Sequence, residues 1–119
     1  MKELKLLNKK RMMRKKRTRA KIFGTAARPR FSVYRSNHSI FAQIIDDENN
    51  KTLTSVNMKE LSDKNKKTKS QQAEMLGALI ANKAKAKGIN KVVFDKSYYK
   101  FHGRVKSIAD GARKTGLDF

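Results

Sequence analysis

The chain has 119 residues, of which 30 are Lys or Arg and 10 are Asp or Glu, for a net charge of +20; 38% are apolar and none is cysteine. That length suits one small domain, the missing cysteine excludes disulfides and thiolate metal sites, and the longest apolar run, residues 78–81, is far too short for a membrane span. So one-sided a charge repels itself in the free protein, which makes a polyanionic partner its natural resting state.

Residues 1–35 hold 14 basic residues and one acid, Glu3. A basic arm leading into a folded body is the electrostatic footprint of a nucleic-acid binder, because clustered cations gain affinity by releasing the counterions condensed on a polyphosphate. The arm cations singled out for RNA are Lys9, Lys10, Arg11, Arg14, Lys15, Lys16, Arg17 and Arg19. Leu4, Leu7, Arg11 and Met12 make a weak helical stripe, but close like charges oppose a helix. The expectation is an arm disordered when free and helical or extended on its partner. The N-terminus lacks the apolar core of a signal peptide, so a cytoplasmic protein is expected. Gly24 and Pro29 mark IFGTAARP, residues 22–29, as the way into the body. The division expected is a basic arm and linker over residues 1–27 and a single compact α/β domain over residues 28–119.

Three short strands follow. Residues 30–35 alternate, with Phe31 and Val33 on one face and Ser32 and Tyr34 on the other. Residues 40–45 place Ile40, Ala42 and Ile44 on one face and Phe41 and Gln43 on the other, and residues 52–56 form a weaker third strand. Polar turns at residues 36–39 and 47–50 make this an antiparallel meander. Residues 57–69 read as a loop. Thr68 and Gln71 then match a capping box, opening a helix that runs to about Lys87, with Ala73, Leu76, Leu79, Ile80 and Ala84 on one stripe and Gly88 as its left-handed stop. Residues 91–95 (KVVFD) read as a buried strand that pairs parallel to an earlier one, since a helix precedes it. Val105, Ile108, Ala109 and Ala112 mark a second helix ended by Gly116, after which Leu117 and Phe119 dock on the body. The order β-β-β-α-β-α gives a small mixed sheet with two helices on one face, leaving the other face open.

On that open face stand Ser32, Tyr34, Phe41 and Gln43, flanked by Arg28, Arg30 and Arg35 and by the turn residues Ser36, Asn37 and His38. Aromatic rings stack unpaired bases, and polar groups beside them reach 2′-hydroxyls and base edges. The plainer alternative is that Tyr34 and Phe41 are a cross-strand pair packed under the arm or linker. A third constellation is SYYKFHGR, residues 97–104, whose Tyr99, Lys100, His102, Gly103 and Arg104 lie where a helix N-terminus offers N–H groups to phosphate. Its plainer reading is a loop whose aromatics close the core. Zinc spacing, phosphate-binding glycine loops and nucleophile elbows are missing from the sequence, and no cofactor is expected. The enzymatic alternative is a metal-dependent nuclease using Asp46, Asp95 and Asp110, and the plainer reading there is turn and surface ion-pair carboxylates. A further alternative is a general nucleic-acid chaperone without a single target.

RPRFSVYRSNHSIFAQIIDD, residues 28–47, and GINKVVFDKSYYKFHGRVKSIADGARKTGLDF, residues 88–119, resemble bacterial large-subunit ribosomal protein eighteen, with the basic arm and intervening helix in the expected order. The resemblance implies a non-catalytic protein that binds 5S ribosomal RNA. It would help attach that RNA to the large subunit in the central protuberance, beside 23S ribosomal RNA and ribosomal protein five. It also implies RNA-facing positions in the arm, in residues 28–43 and around residues 102–104. One departure is Lys96-Ser97-Tyr98, where the family often has Arg and Gly, a glycine there implying a special backbone conformation.

Overall fold

Alternation and helical periodicity assemble here into one four-stranded sheet under a pair of helices. The computed structural model describes residues 2–37, 39–61 and 67–119. Strands β1 (Arg30–Arg35), β2 (Ile40–Asp46), β3 (Lys51–Val56) and β4 (Val93–Asp95) lie in the order β3-β2-β1-β4. β1 and β2 run antiparallel, with Phe31 opposite Ile44, Val33 opposite Ala42 and Tyr34 opposite Phe41. β2 and β3 are antiparallel with an irregularity at Ile44/Ile45, and β4 joins β1 in parallel. The expected meander and its parallel fourth strand are therefore both present.

A chain leaving β3 must cross the sheet to run parallel to β1, and a helix makes that crossing. Helix α2 spans Lys69–Ala86 and α3 spans Arg104–Lys114, while the arm forms α1, Lys2–Arg19. Thr68 caps α2 by accepting from the Gln71 N–H, and the Gln71 side chain returns a bond to the Thr68 N–H. Gly88 takes φ +78° just beyond the end of α2, a left-handed turn open to a residue without Cβ.

Phe31, Val33, Ile40, Ala42 and Ile44 from the sheet meet Leu76 and Ile80 of α2 and Val105 and Ile108 of α3, all buried. Leu117 closes the core, and Phe119 packs beside Phe31 and Phe94 at ring distances of 5.7 and 5.6 Å. The two helices touch backbone to backbone at one crossing. A Cβ on Gly77 would lie 2.0 Å from the Ile108 carbonyl oxygen, and one on Gly111 would lie 2.1 Å from that of Glu74.

Three local differences from the sequence expectation have physical causes. The loop read over residues 57–69 begins with a 3-10 turn, Met58–Glu60, closed by a second capping box in which Asn57 accepts from Lys59 N and Glu60 accepts from Asn57 N. β4 starts at Val93, because Lys91 pairs instead with Asp118 of the C-terminal tail. Residues 2–19 are one continuous helix where disorder was expected. Lys, Arg, Leu and Met are good helix formers, no Gly or Pro interrupts the run, and Glu3 at the start with Lys16, Arg17 and Arg19 at the end suits the helix dipole. None of its side chains is buried, so the Leu4–Met12 stripe makes no core.

Candidate nucleic-acid interface

The outer sheet face carries the residues that alternation assigned to it. Tyr34 is 52% exposed and Phe41 37%, with their rings 5.2 Å apart and tilted by 37°. Ser32 and Gln43, also paired across the strands, are half-buried beside them. The two aromatics are thus a cross-strand pair, but one open to solvent and not packed under the arm or linker. Two adjoining ring faces with small polar neighbours can stack bases.

Arg30 stands on the same face but is used inside the protein. Its Nε and Nη2 donate to Asp47 at 3.0 and 3.2 Å, and its Nη1 donates to Asp95 at 2.8 Å. The Asp95 side chain is buried and also accepts from the Ser97 N–H, while Asp47 also accepts from Gly24 N–H at 2.7 Å and from Arg19 at 3.3 Å. This hub ties the linker, α1, β1, the β2–β3 turn and β4 to one guanidinium. Burial alone would push the Asp47 carboxyl upward. The bonds from Arg30, Gly24 and Arg19, together with the Arg30 charge, outweigh it and lower the value from 3.8 to about 2. Because the folded value lies below the unfolded one, this carboxylate stabilises the fold above pH 3.8, and that contribution fades as pH falls towards 2. It amounts to roughly 2 kcal/mol. Asp47→Asn should therefore lag the parent in urea stability by a margin that shrinks by about that amount between pH 5 and pH 2. A margin constant with pH would show that Asp47 is not held as an anion.

A group of cations lies where α1 meets the β4–α3 connection. The Thr18 hydroxyl donates to the Ser97 carbonyl at 2.9 Å, and the Arg11 guanidinium sits 5.3 Å from the Tyr98 ring centre. A cation over an exposed ring contributes about 0.5–1 kcal/mol, so α1 is held by a few modest contacts and not by a core. Ser97 adopts φ +58°, a left-handed conformation that costs an L-residue roughly 1–2 kcal/mol. Its N–H bond to Asp95 and its carbonyl bond from Thr18 hold it there. Tyr99 is only 7% exposed, and its hydroxyl donates to the Arg35 carbonyl and accepts from the Arg35 N–H, both at 2.9 Å. Arg35 lies over the same ring at 5.3 Å. Arg104 donates to the Ser36 carbonyl at 2.6 Å, and burial followed by the nearby Arg35 charge lowers its pKa.

Between α1 and this connection runs a cleft of about 350 Å³ lined by Leu7, Arg11, Arg14, Arg35, Tyr98, Tyr99, Lys100, His102 and Gly103, with no acid in its wall among the described residues. Smaller hollows on either side extend it to Arg17 and Lys96 one way and to Tyr34, Ser36 and Asn37 the other. The fold thus brings part of the arm, the 36–37 turn and residues 98–103 to one cationic trough beside Tyr34. Lys9, Lys10, Lys15 and Lys16 are exposed elsewhere on α1, Arg19 reaches back to Asp47, and Arg28 is exposed in the linker. His38 lies outside the described residues. Sequence reasoning missed Tyr98 and Leu7, which both line the cleft; the aromatic triplet around residue 98 was the available signal. The carboxylates of the nuclease alternative are engaged separately. Asp46 accepts from Glu48 N and Asn49, Asp95 from Arg30 and Ser97 N, and Asp110 pairs with Lys106. No group of three acids or histidines suited to a metal ion occurs among the described residues.

Comparison with known proteins points the same way. A family model described as ribosomal L18 of archaea, bacteria, mitochondria and chloroplasts matches residues 5–119. The chain is 50% identical over 115 residues to the large ribosomal subunit protein uL18 of Caldicellulosiruptor saccharolyticus, covering 94% of this chain and 93% of that one. It is 52% identical over 112 residues to the protein of the same name from Lactobacillus delbrueckii subsp. bulgaricus, with 94% of each covered. It is likewise 52% identical over 114 residues to the one from Streptococcus suis, covering 94% of this chain and 92% of that one.

Proposed function

From the premise that this chain belongs to the ribosomal L18 family, a structural and non-enzymatic constituent of the large ribosomal subunit, we propose that it binds 5S ribosomal RNA and helps attach it to 23S ribosomal RNA. The place would be the central protuberance, with ribosomal protein five as a neighbour. The observation that carries this reading is the joining of a cationic trough, without an acid among its described lining residues, to an open aromatic sheet face. Phosphate contacts position an RNA and base contacts specify it. In this reading Arg11, Arg14, Arg17, Arg35, Lys100, His102 and Arg104 neutralise phosphates, with the other arm cations and Arg28 adding affinity. Ser32, Tyr34, Phe41 and Gln43 read bases, and Ser36, Asn37 and His38 meet the backbone at the hairpin tip. Arg30 and Tyr99 act by fixing the strands and loop that carry the others. Residues 1–27 supply sequence-neutral affinity, and residues 28–119 supply selectivity.

The test is binding to 5S RNA in competition with excess transfer RNA, at about 50 and 200 mM salt, across which 6–10 phosphate contacts lose roughly 10³–10⁵ in affinity. 5S RNA should still win at the higher salt. Equal competition by transfer RNA would leave charge alone in action and favour a general chaperone. Tyr34→Ala should cost about 1–3 kcal/mol of 5S RNA affinity while the melting temperature stays near that of the parent, because the ring is half-exposed. A lower melting temperature with unchanged affinity would place Tyr34 in the packing instead.

A further inference from the structure

The turn that presents Lys100 and His102 is gripped from its far side. The His102 N–H donates to the Lys100 carbonyl at 2.8 Å, closing a three-residue turn with Phe101 at its apex. Lys100 and His102 line the cleft, whereas Phe101 packs edge-on against Phe94 at 5.7 Å and 78°. Phe94 in turn stacks on Phe119 at 5.6 Å and 16°. The Arg113 guanidinium lies over both outer rings of this row, 4.5 Å from the Phe119 centre and 6.0 Å from that of Phe101. Its Nε also donates to the Phe119 carbonyl at 3.2 Å, a bond that restrains its plane. A ring at the apex of so short a turn is its handle, because moving Phe101 redirects the residue on either side.

We infer that Arg113, acting through the Phe101 ring, is a positioning residue for RNA binding: it holds the 100–102 turn so that Lys100 and His102 face the RNA together. The inference rests on the RNA-binding reading above and adds to it residues that stand outside the interface. Arg113 belongs to the last turn of α3 and Phe119 to the tail beyond it, and neither lines the cleft. The chemistry suits arginine and not lysine. A planar guanidinium can lie on two rings and keep a directed N–H bond, whereas an ammonium is a compact point charge. The two carry the same charge, so exchanging one for the other separates positioning from a direct phosphate contact.

The test uses the full chain and 5S RNA, with Arg113→Lys, Phe101→Ala, their double variant and Lys100→Ala. All three positions are exposed, so the melting temperature should stay near that of the parent. Arg113→Lys should weaken binding about two- to fivefold, the equivalent of one cation–ring contact. The salt dependence should become shallower by about one phosphate contact, although no charge has been removed. In the free protein, hydrogen exchange at the His102 amide should quicken while exchange at the Val33 amide of β1 keeps the parent rate. Phe101→Ala should act alike, and the double variant should lose no more than Phe101→Ala alone, because Arg113 works through that ring. Losses that multiply in the double variant would overturn the inference, as would parental affinity in Arg113→Lys or a loss of affinity with His102 exchange unchanged. Lys100→Ala separates this claim from the one beneath it. If it leaves 5S RNA affinity intact, the turn is no RNA contact and both readings fall; if it weakens binding and Arg113→Lys does not, the positioning role alone falls.

Discussion

Alanine at Gly77 is expected to cost the fold about 3 kcal/mol, although alanine is the better helix former by about 1 kcal/mol. The reason is where the new methyl would go. It would sit 2.0 Å from the Ile108 carbonyl oxygen and 2.9 Å from the Ala112 nitrogen. Those atoms belong to the α3 backbone and cannot rotate aside as a side chain can. The helices must part, and the layer in which Leu76 and Ile80 face Val105 and Ile108 loosens with them. Overpacking of this kind costs about 1–3 kcal/mol and sometimes more, which here exceeds the propensity gain. A drop in melting temperature of roughly 10 °C should follow for a domain of this size. Gly111→Ala strikes the same crossing from the other side, at the Glu74 carbonyl. The double variant should therefore lose less than the sum of the two. A melting temperature that holds or rises would mean that the helices are not in backbone contact at this point.

Arg30→Met should be as damaging, by about 3–5 kcal/mol near neutral pH, because it strands two carboxylates in places that water scarcely reaches. The magnitude comes from the orphaned charges and not from the worth of the bonds. A buried ion pair replaced as a whole is often neutral, so Arg30→Met with Asp47→Asn and Asp95→Asn should recover most of the loss. The pH dependence supplies a sharper signature. In the parent the Asp47 value is lowered to about 2, so stability falls as the medium is acidified through the range from 3.8 downward. In Arg30→Met the Asp47 carboxyl loses the guanidinium bonds and charge that do most to hold it low, so the variant gives up less stability than the parent on acidification. Urea unfolding at pH 7, 5 and 3.5 should show the two stabilities converging. A parallel offset at all three pH values would mean that Arg30 contributes packing and not charge compensation.

These two sites also mark what could be seen in the chain and what could not. The β1–β2 hairpin was legible because Phe31, Val33, Ile40, Ala42 and Ile44 alternate with polar or exposed neighbours, and period two admits one inward face. α2 was legible because Thr68 and Gln71 write its start and Gly88 its end. Both signals are local. The Gly77–Ile108 contact joins residues 31 apart, the Arg30–Asp95 bond residues 65 apart and the Thr18–Ser97 bond residues 79 apart. No local pattern announces such pairs. Gly77 reads merely as a weak spot in a helix, and Arg30 as one more cation in a basic run. For the same reason the candidate interface was found as three separate basic or aromatic segments, and only the fold shows that Arg11, Arg35 and Lys100 share one cleft. Tyr99 follows the plainer reading of its segment: it is buried, and its hydroxyl is spent on both backbone groups of Arg35.

β3 is the last strand on its side of the sheet, and two lysines lie along it, one in α2 and one just past its end. Lys83 donates to the Ser55 carbonyl at 3.0 Å and Lys87 to the Leu53 carbonyl. An unpaired strand is a template on which a second copy can add its own, and ammonium groups on the rim oppose that addition. A chain waiting for its RNA is thus kept from zippering onto its twins by the same kind of charge that recruits the RNA. Two rims that each carry positive charge push apart, and a polyphosphate approaching either one is drawn in. Solubility before assembly and affinity during it come from one chemical choice.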